Sequence, residues 1–138
     1  MTDAQARQLN PVVLAFVGDA VYSLYVRERL VCSSQGKAAE YQRAASKIVS
    51  AEGQSTFLAQ IEPILDETEM EIFKRGRNAK KTTKSKNASA AAYNRSTGFE
   101  AVLGYLYLIG ERERINELLS MIDETQLQGI AAEKVYKP

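Results

Sequence analysis

An all-α fold is what the hydrophobic pattern of this chain predicts, on three observations. Apolar residues recur at three- and four-residue steps, capping residues stand at the starts of those runs, and period-two alternation is sustained nowhere. Over residues 11–31 the helical step is carried by Val13, Phe16, Val17, Ala20, Leu24 and Leu30, with Asn10 as the cap ahead of Pro11. This segment is apolar over most of its circumference, which predicts a central position. Cys32-Ser33-Ser34-Gln35-Gly36 ends it. A second helical region runs from about Lys37 to Ile61, with Ala38, Tyr41, Ala45, Ile48 and Val49 on one face. Gly53 is its expected break and Pro63 its close. Thr68-Glu69-Met70-Glu71 has the spacing of a capping box, predicting a short helix stopped by Gly76. A long, flexible, polar and basic loop is expected over 76–94. Ser96 or Thr97 then starts a strongly apolar helix through Phe99, Ala101, Val102, Leu103, Tyr105, Leu106 and Leu108, capped at Gly110. Glu111 to Ile122 reads as an amphipathic helix, and the tail from about 123 as one further turn that frays.

The 138 residues suit one domain, spanning 1–138, and 45% hydrophobic residues are enough to bury a core. No apolar run is long enough for a membrane helix, and the first residues lack the basic region and apolar stretch of a secretory signal. The single Cys32 forms no internal disulfide, which fits a reducing cytoplasm; it reads as a small buried hydrophobe near a helix end.

Histidine is absent. That excludes Ser-His-Asp and Cys-His catalysis, histidine-based zinc sites and imidazole acid/base pairs. Any hydrolysis falls to carboxylates working with a hard metal ion.

The net charge of +1 conceals an asymmetry. Lys74, Arg75, Arg77, Lys80, Lys81, Lys84, Lys86 and Arg95 follow one another with no acid between them. Eight of the 18 basic residues thus lie in one segment, and the other ten stand against all 17 acids, a balance of −7. A charge run is often a solvated loop. Eight like charges repel one another, however, and phosphates on a polyanionic partner would neutralise them.

Two acids stand in apolar surroundings: Asp19 in Phe16-Val17-Gly18-Asp19-Ala20-Val21, and Glu100 in Gly98-Phe99-Glu100-Ala101-Val102. A lone buried carboxylate pairs with an arginine or caps a helix as readily as it binds a metal. Two of them, on the two most apolar helices of a chain without histidine, point to a shared site. Mg2+ suits it, since this ion binds through few carboxylates and keeps several waters. Gly18, Gly98 and Gly104 beside these acids imply close approach of a backbone or a ligand.

These stretches resemble a known family. "LAFVGDAVYSLYVRERL" resembles the signature helix of ribonuclease III, and "STGFEAVLGYLYL" resembles the second catalytic helix of that family. Between them, "KRGRNAK" resembles the region before the second helix in mini-ribonuclease III, the short branch without a double-stranded-RNA-binding domain. The likeness covers nearly the whole chain. It implies a single ribonuclease III-like helical endonuclease domain, with Asp19 and Glu100 as catalytic metal ligands. It also implies Mg2+ as cofactor, with Mn2+ able to substitute, and an ion that activates water and stabilises charge on the scissile phosphate. Products would carry 5′-phosphate ends. Two further acidic ligands of full-length ribonuclease III fall here on Ala15 and Thr97, and Thr97 is left to contribute a neutral oxygen or a water contact.

The resemblance implies cleavage of double-stranded RNA by a homodimer; the aromatic, apolar face of Phe16, Tyr22 and Tyr25 on the first helix reads either as part of that interface or as core. Arg75, Arg77, Asn78, Lys80, Lys81, Lys84, Lys86 and Arg95 would grip the RNA, reading shape more than sequence. The biological substrate implied is the ends of large-subunit (23S) ribosomal RNA precursor, with a ribosomal protein as a possible further partner. Two rival readings are a catalytically impaired RNA-binding or ribosome-assembly module, and a helical adaptor whose basic loop docks an acidic protein. Metal-dependent cleavage of duplex RNA separates the first reading from both.

Overall fold

The computed structural model describes residues 1–80 and 89–121, and among them every regular element is helical. The elements are α1 (Asp3–Arg7), α2 (Pro11–Ser33), α3 (Ala38–Val49), α4 (Ala51–Ile61), a 3-10 turn (Glu62–Ile64), α5 (Glu67–Asn78), α6 (Ala90–Leu108) and α7 (Arg112–Ser120). The expected tail from 123 and the basic residues Lys81, Lys84 and Lys86 lie outside the described residues.

The α6 helix is the hub. It packs most extensively against α2, then against α5 and α4, and it buries residues on nearly all sides, from Ala92 through Phe99, Val102 and Leu103 to Leu106. Tyr22 of α2, Phe57 of α4 and Phe99 meet in a mutual aromatic cluster with ring centroids 5.7–6.0 Å apart. Such tilted and edge-to-face pairs add about 0.5–1.5 kcal/mol beyond area burial.

The cap at Asn10 is present, its side-chain oxygen accepting from the Val12 amide at 2.7 Å. Several boundaries differ from the sequence expectation. The second helical region breaks at Ser50 rather than at Gly53, because the Ser50 hydroxyl caps α4 by accepting from the Gly53 amide at 3.0 Å. The capping box of α5 is Asp66 with Glu69, two residues upstream of the expected one, and the helix runs past Gly76 to Asn78. Gly76 lies inside α5 because it packs against α6: a β-carbon there would meet the Cα of Gly98 at 2.9 Å. Helix α6 begins at Ala90, capped by Ser89, rather than at Ser96 or Thr97. Three alanines of high helix propensity extend it, and the Ser96 and Thr97 hydroxyls bond back to the Tyr93 carbonyl instead of capping. Gly110 does close the turn after α6, with φ +83°.

Helix α2 is central on one face only. Leu14, Ala15, Gly18, Tyr22, Val26 and Leu30 are buried, whereas Val13, Phe16, Leu24 and Val31 are exposed, Phe16 to 80% and Leu24 to 68%. Cys32 is exposed in the last turn of α2, not buried as its residue type suggested.

Candidate active site

Asp19 on α2 and Glu100 on α6 share one site because the two helices are pressed together around glycines. Their carboxylates are in hydrogen-bond contact. Asp19 is exposed, which corrects the expectation of two buried acids, while Glu100 is only partly accessible behind it. Asp19 sits at the edge of the α2–α6 seam, one residue past the buried Gly18, so its side chain reaches water.

Glu100 holds its proton unusually tightly. Burial, reinforced by the negative charge of Asp19 and a hydrogen bond with it, raises its carboxyl to about 8. One group opposes this shift: Gln54 of α4 donates from Nε2 to Glu100 Oε2 at 3.1 Å. Sequence reasoning passed over Gln54. The signal was its place on a core-facing stripe with Phe57, Leu58 and Ile61, where a polar side chain is out of character.

The donor set fits a hard divalent ion. Two carboxylates held in contact repel unless a proton or a cation lies between them, and oxygen donors with open water access are what Mg2+ accepts. No group of three or more His, Cys, Asp or Glu side chains converges anywhere among the described residues. Ala15 offers no donor and is buried in the core. The Thr97 hydroxyl donates to the Tyr93 carbonyl at 3.0 Å, so only its remaining lone pairs are available to the site.

The basic residues divide. Arg75 is committed inward, donating to the carbonyls of Arg7 at 3.0 Å and Leu9 at 3.2 Å and so pinning the end of α1 and the turn after it. Arg95 forks onto Glu62 through Nε and Nη2 at 3.1 and 2.9 Å. Arg77 lies over the Phe73 ring and donates to Asn78 Oδ1, at the end of α5 where Asn78 and Lys80 are exposed. Asn78 and Lys80 thus face outward, Arg77 is half-buried beside them, and Arg75 and Arg95 hold structural partners.

A helical core with an acid pair at the seam of its two central helices defines the class. The family model described as the ribonuclease III domain matches residues 12–111, and the chain belongs to the ribonuclease III family. It is an endoribonuclease of the short branch. Relatives named Mini-ribonuclease 3 include one from Clostridium tetani, 40% identical over 88% of this chain and 81% of its own. Another, from Streptococcus pneumoniae, is 46% identical over 81% of this chain and 89% of its own. A crystal structure of a Fusobacterium nucleatum protein superposes with a TM-score of 0.80 at 26% identity, covering 89% of this chain and 94% of that one.

Proposed function

We propose that this endoribonuclease cuts double-stranded RNA as a homodimer with Mg2+, in the cytoplasm, on the ends of large-subunit ribosomal RNA precursor. The observation that carries the chemistry is the contact between Asp19 and Glu100. The ion would sit on these two carboxylates, supplying an activated water and neutralising charge on the phosphate. Asp19, which faces water, and Glu100 behind it, in its ionised form, would hold the ion between them. Arg77, Asn78 and Lys80, with Lys81, Lys84 and Lys86 beyond them, would bind the sugar–phosphate backbone.

The homodimer is supported by the outer face of α2. Val13, Phe16, Leu24 and Val31 form an exposed apolar stripe, and beside it a cavity of about 250 Å³ is lined by Leu24, Tyr25, Tyr107 and Leu119 together with the polar Glu28, Arg112 and Asn116. Apolar surface of this extent on one helix face suits a second copy of the chain, whose two-fold symmetry would match that of a duplex. Tyr22, fully buried against Phe57 and Phe99, belongs to the core and not to that face; Phe16 remains on it, whereas Tyr25 is half-buried against the core and lines the cavity. The ribosomal RNA assignment follows the likeness to the short branch. The test is incubation of a duplex RNA and of precursor ribosomal RNA with Mg2+. Cleavage of both strands to 5′-phosphate ends supports the reading, and intact RNA bound tightly would favour the assembly-module reading instead.

A further inference from the structure

Gln54 is 1% exposed, and its Oε1 is buried without a hydrogen-bond partner. Leaving such an atom unpaired is destabilising, so an apolar residue of the same size would serve the core better. The other end of the amide explains its presence. Nε2 donates to the Val49 carbonyl at 3.0 Å and to Glu100 Oε2 at 3.1 Å, which occupies both of its hydrogens. A carbonyl only accepts, so Val49 dictates which way the amide faces: turned over, it would set Oε1 against two oxygens. Glu100 is therefore always offered a donor. The elbow between α3 and α4 holds this arrangement in place. A β-carbon at Gly53 would stand 2.2 Å from the Lys47 carbonyl, so only glycine lets the chain turn tightly enough to bring the next side chain onto Val49.

We propose that Gln54 is a positioning residue for the acid pair, aiming Glu100 Oε2 at the site it shares with Asp19. This rests on the metal-site reading above. The unpaired Oε1 is then the cost of a donor placed for function rather than for the core.

The experiment is Mn2+ binding to the RNA-free protein, followed by the electron paramagnetic resonance of the free ion, alongside thermal unfolding without metal. Gln54→Met should weaken Mn2+ binding about 10–100-fold, the range typical for loss of a group that orients a ligand, while the metal-free midpoint stays equal or rises. Duplex RNA binding in Ca2+ should change less than twofold. Gln54→Asn, with its amide drawn back by one methylene, should weaken Mn2+ binding in the same way and covers the case in which the first variant fails to fold. Wild-type Mn2+ affinity in either folded variant would overturn the proposal, as would failure of both to fold, which would make the residue structural. If the wild-type chain itself binds no Mn2+, or Asp19→Asn leaves binding intact, the metal-site reading has failed, and this proposal with it.

Discussion

A β-carbon built on Gly18 would stand 1.7 Å from the carbonyl oxygen of Glu100. The residue before Asp19 is thus packed against the backbone of Glu100. Gly104 repeats the contact one turn on, with 1.9 Å to the Leu14 carbonyl. Helices α2 and α6 touch backbone to backbone, and this closeness brings the side chains of Asp19 and Glu100 together. No side chain can rotate out of such a clash, because the obstructing atoms are main chain.

Gly18→Ala should therefore cost more than the usual ~1–3 kcal/mol of overpacking, lowering the thermal midpoint by roughly 10 °C or more. Gly110→Ala is the control: nothing lies within 4 Å of its added β-carbon, and only the positive φ opposes it, at about 1 kcal/mol. Similar losses in the two variants, read by thermal or urea unfolding, would contradict the backbone-contact account.

Asp19→Asn and Glu100→Gln should each abolish cleavage while leaving duplex binding in Ca2+ within a few-fold of wild type, since each removes an ion ligand and little volume. Loss of RNA binding in proportion to loss of cleavage would argue against the assignment.

Metal-free stability should fall as pH rises. The folded protein keeps the Glu100 proton up to about 8, whereas a glutamate carboxyl at its ordinary value of 4.5 has lost it in the unfolded chain. Between those limits the folded state binds more protons, so stability declines with pH, by at most ~1.4 kcal/mol per unit. Glu100→Gln should remove the slope and be the more stable protein at pH 8 without metal. Unfolding midpoints measured in chelator from pH 5 to 8 check this.

Mg2+ or Mn2+ should bind more tightly as pH rises toward 8, by up to about tenfold per unit, because the ion must displace the Glu100 proton. Calorimetry in buffers of different ionisation enthalpy would report the released proton. Binding that is flat with pH and releases none would contradict the protonated Glu100 of the metal-free site.

Arg77→Ala with Lys80→Ala should weaken binding across duplexes of different sequence and flatten its salt dependence by up to about one slope unit per lost phosphate contact. Arg75→Ala should act differently, lowering stability by roughly 1.5–3 kcal/mol through two lost charged hydrogen bonds and leaving the salt slope unchanged. Phe16→Asp should shift the sedimenting mass from about twice 15.3 kDa to 15.3 kDa. A wild-type chain already monomeric at micromolar concentration would remove the homodimer.

The sequence by itself determined the all-α class, the central pair of helices and the two acids on them. Each is written locally, in apolar residues at helical steps, in Asn10 before Pro11, and in one acid within each of the two most apolar runs. It also excluded imidazole chemistry, since composition needs no fold. Tertiary structure alone decided which face of α2 is core and which is bare, because an apolar run looks the same from either side until a neighbour covers it. Packing likewise drew Gly76 into a helix and turned Arg75 and Arg95 from the basic run toward structural partners. Gln54 joined the site the same way: it lies 46 residues from Glu100 in the chain, and only the α3–α4 elbow folded against α6 brings their side chains to 3.1 Å.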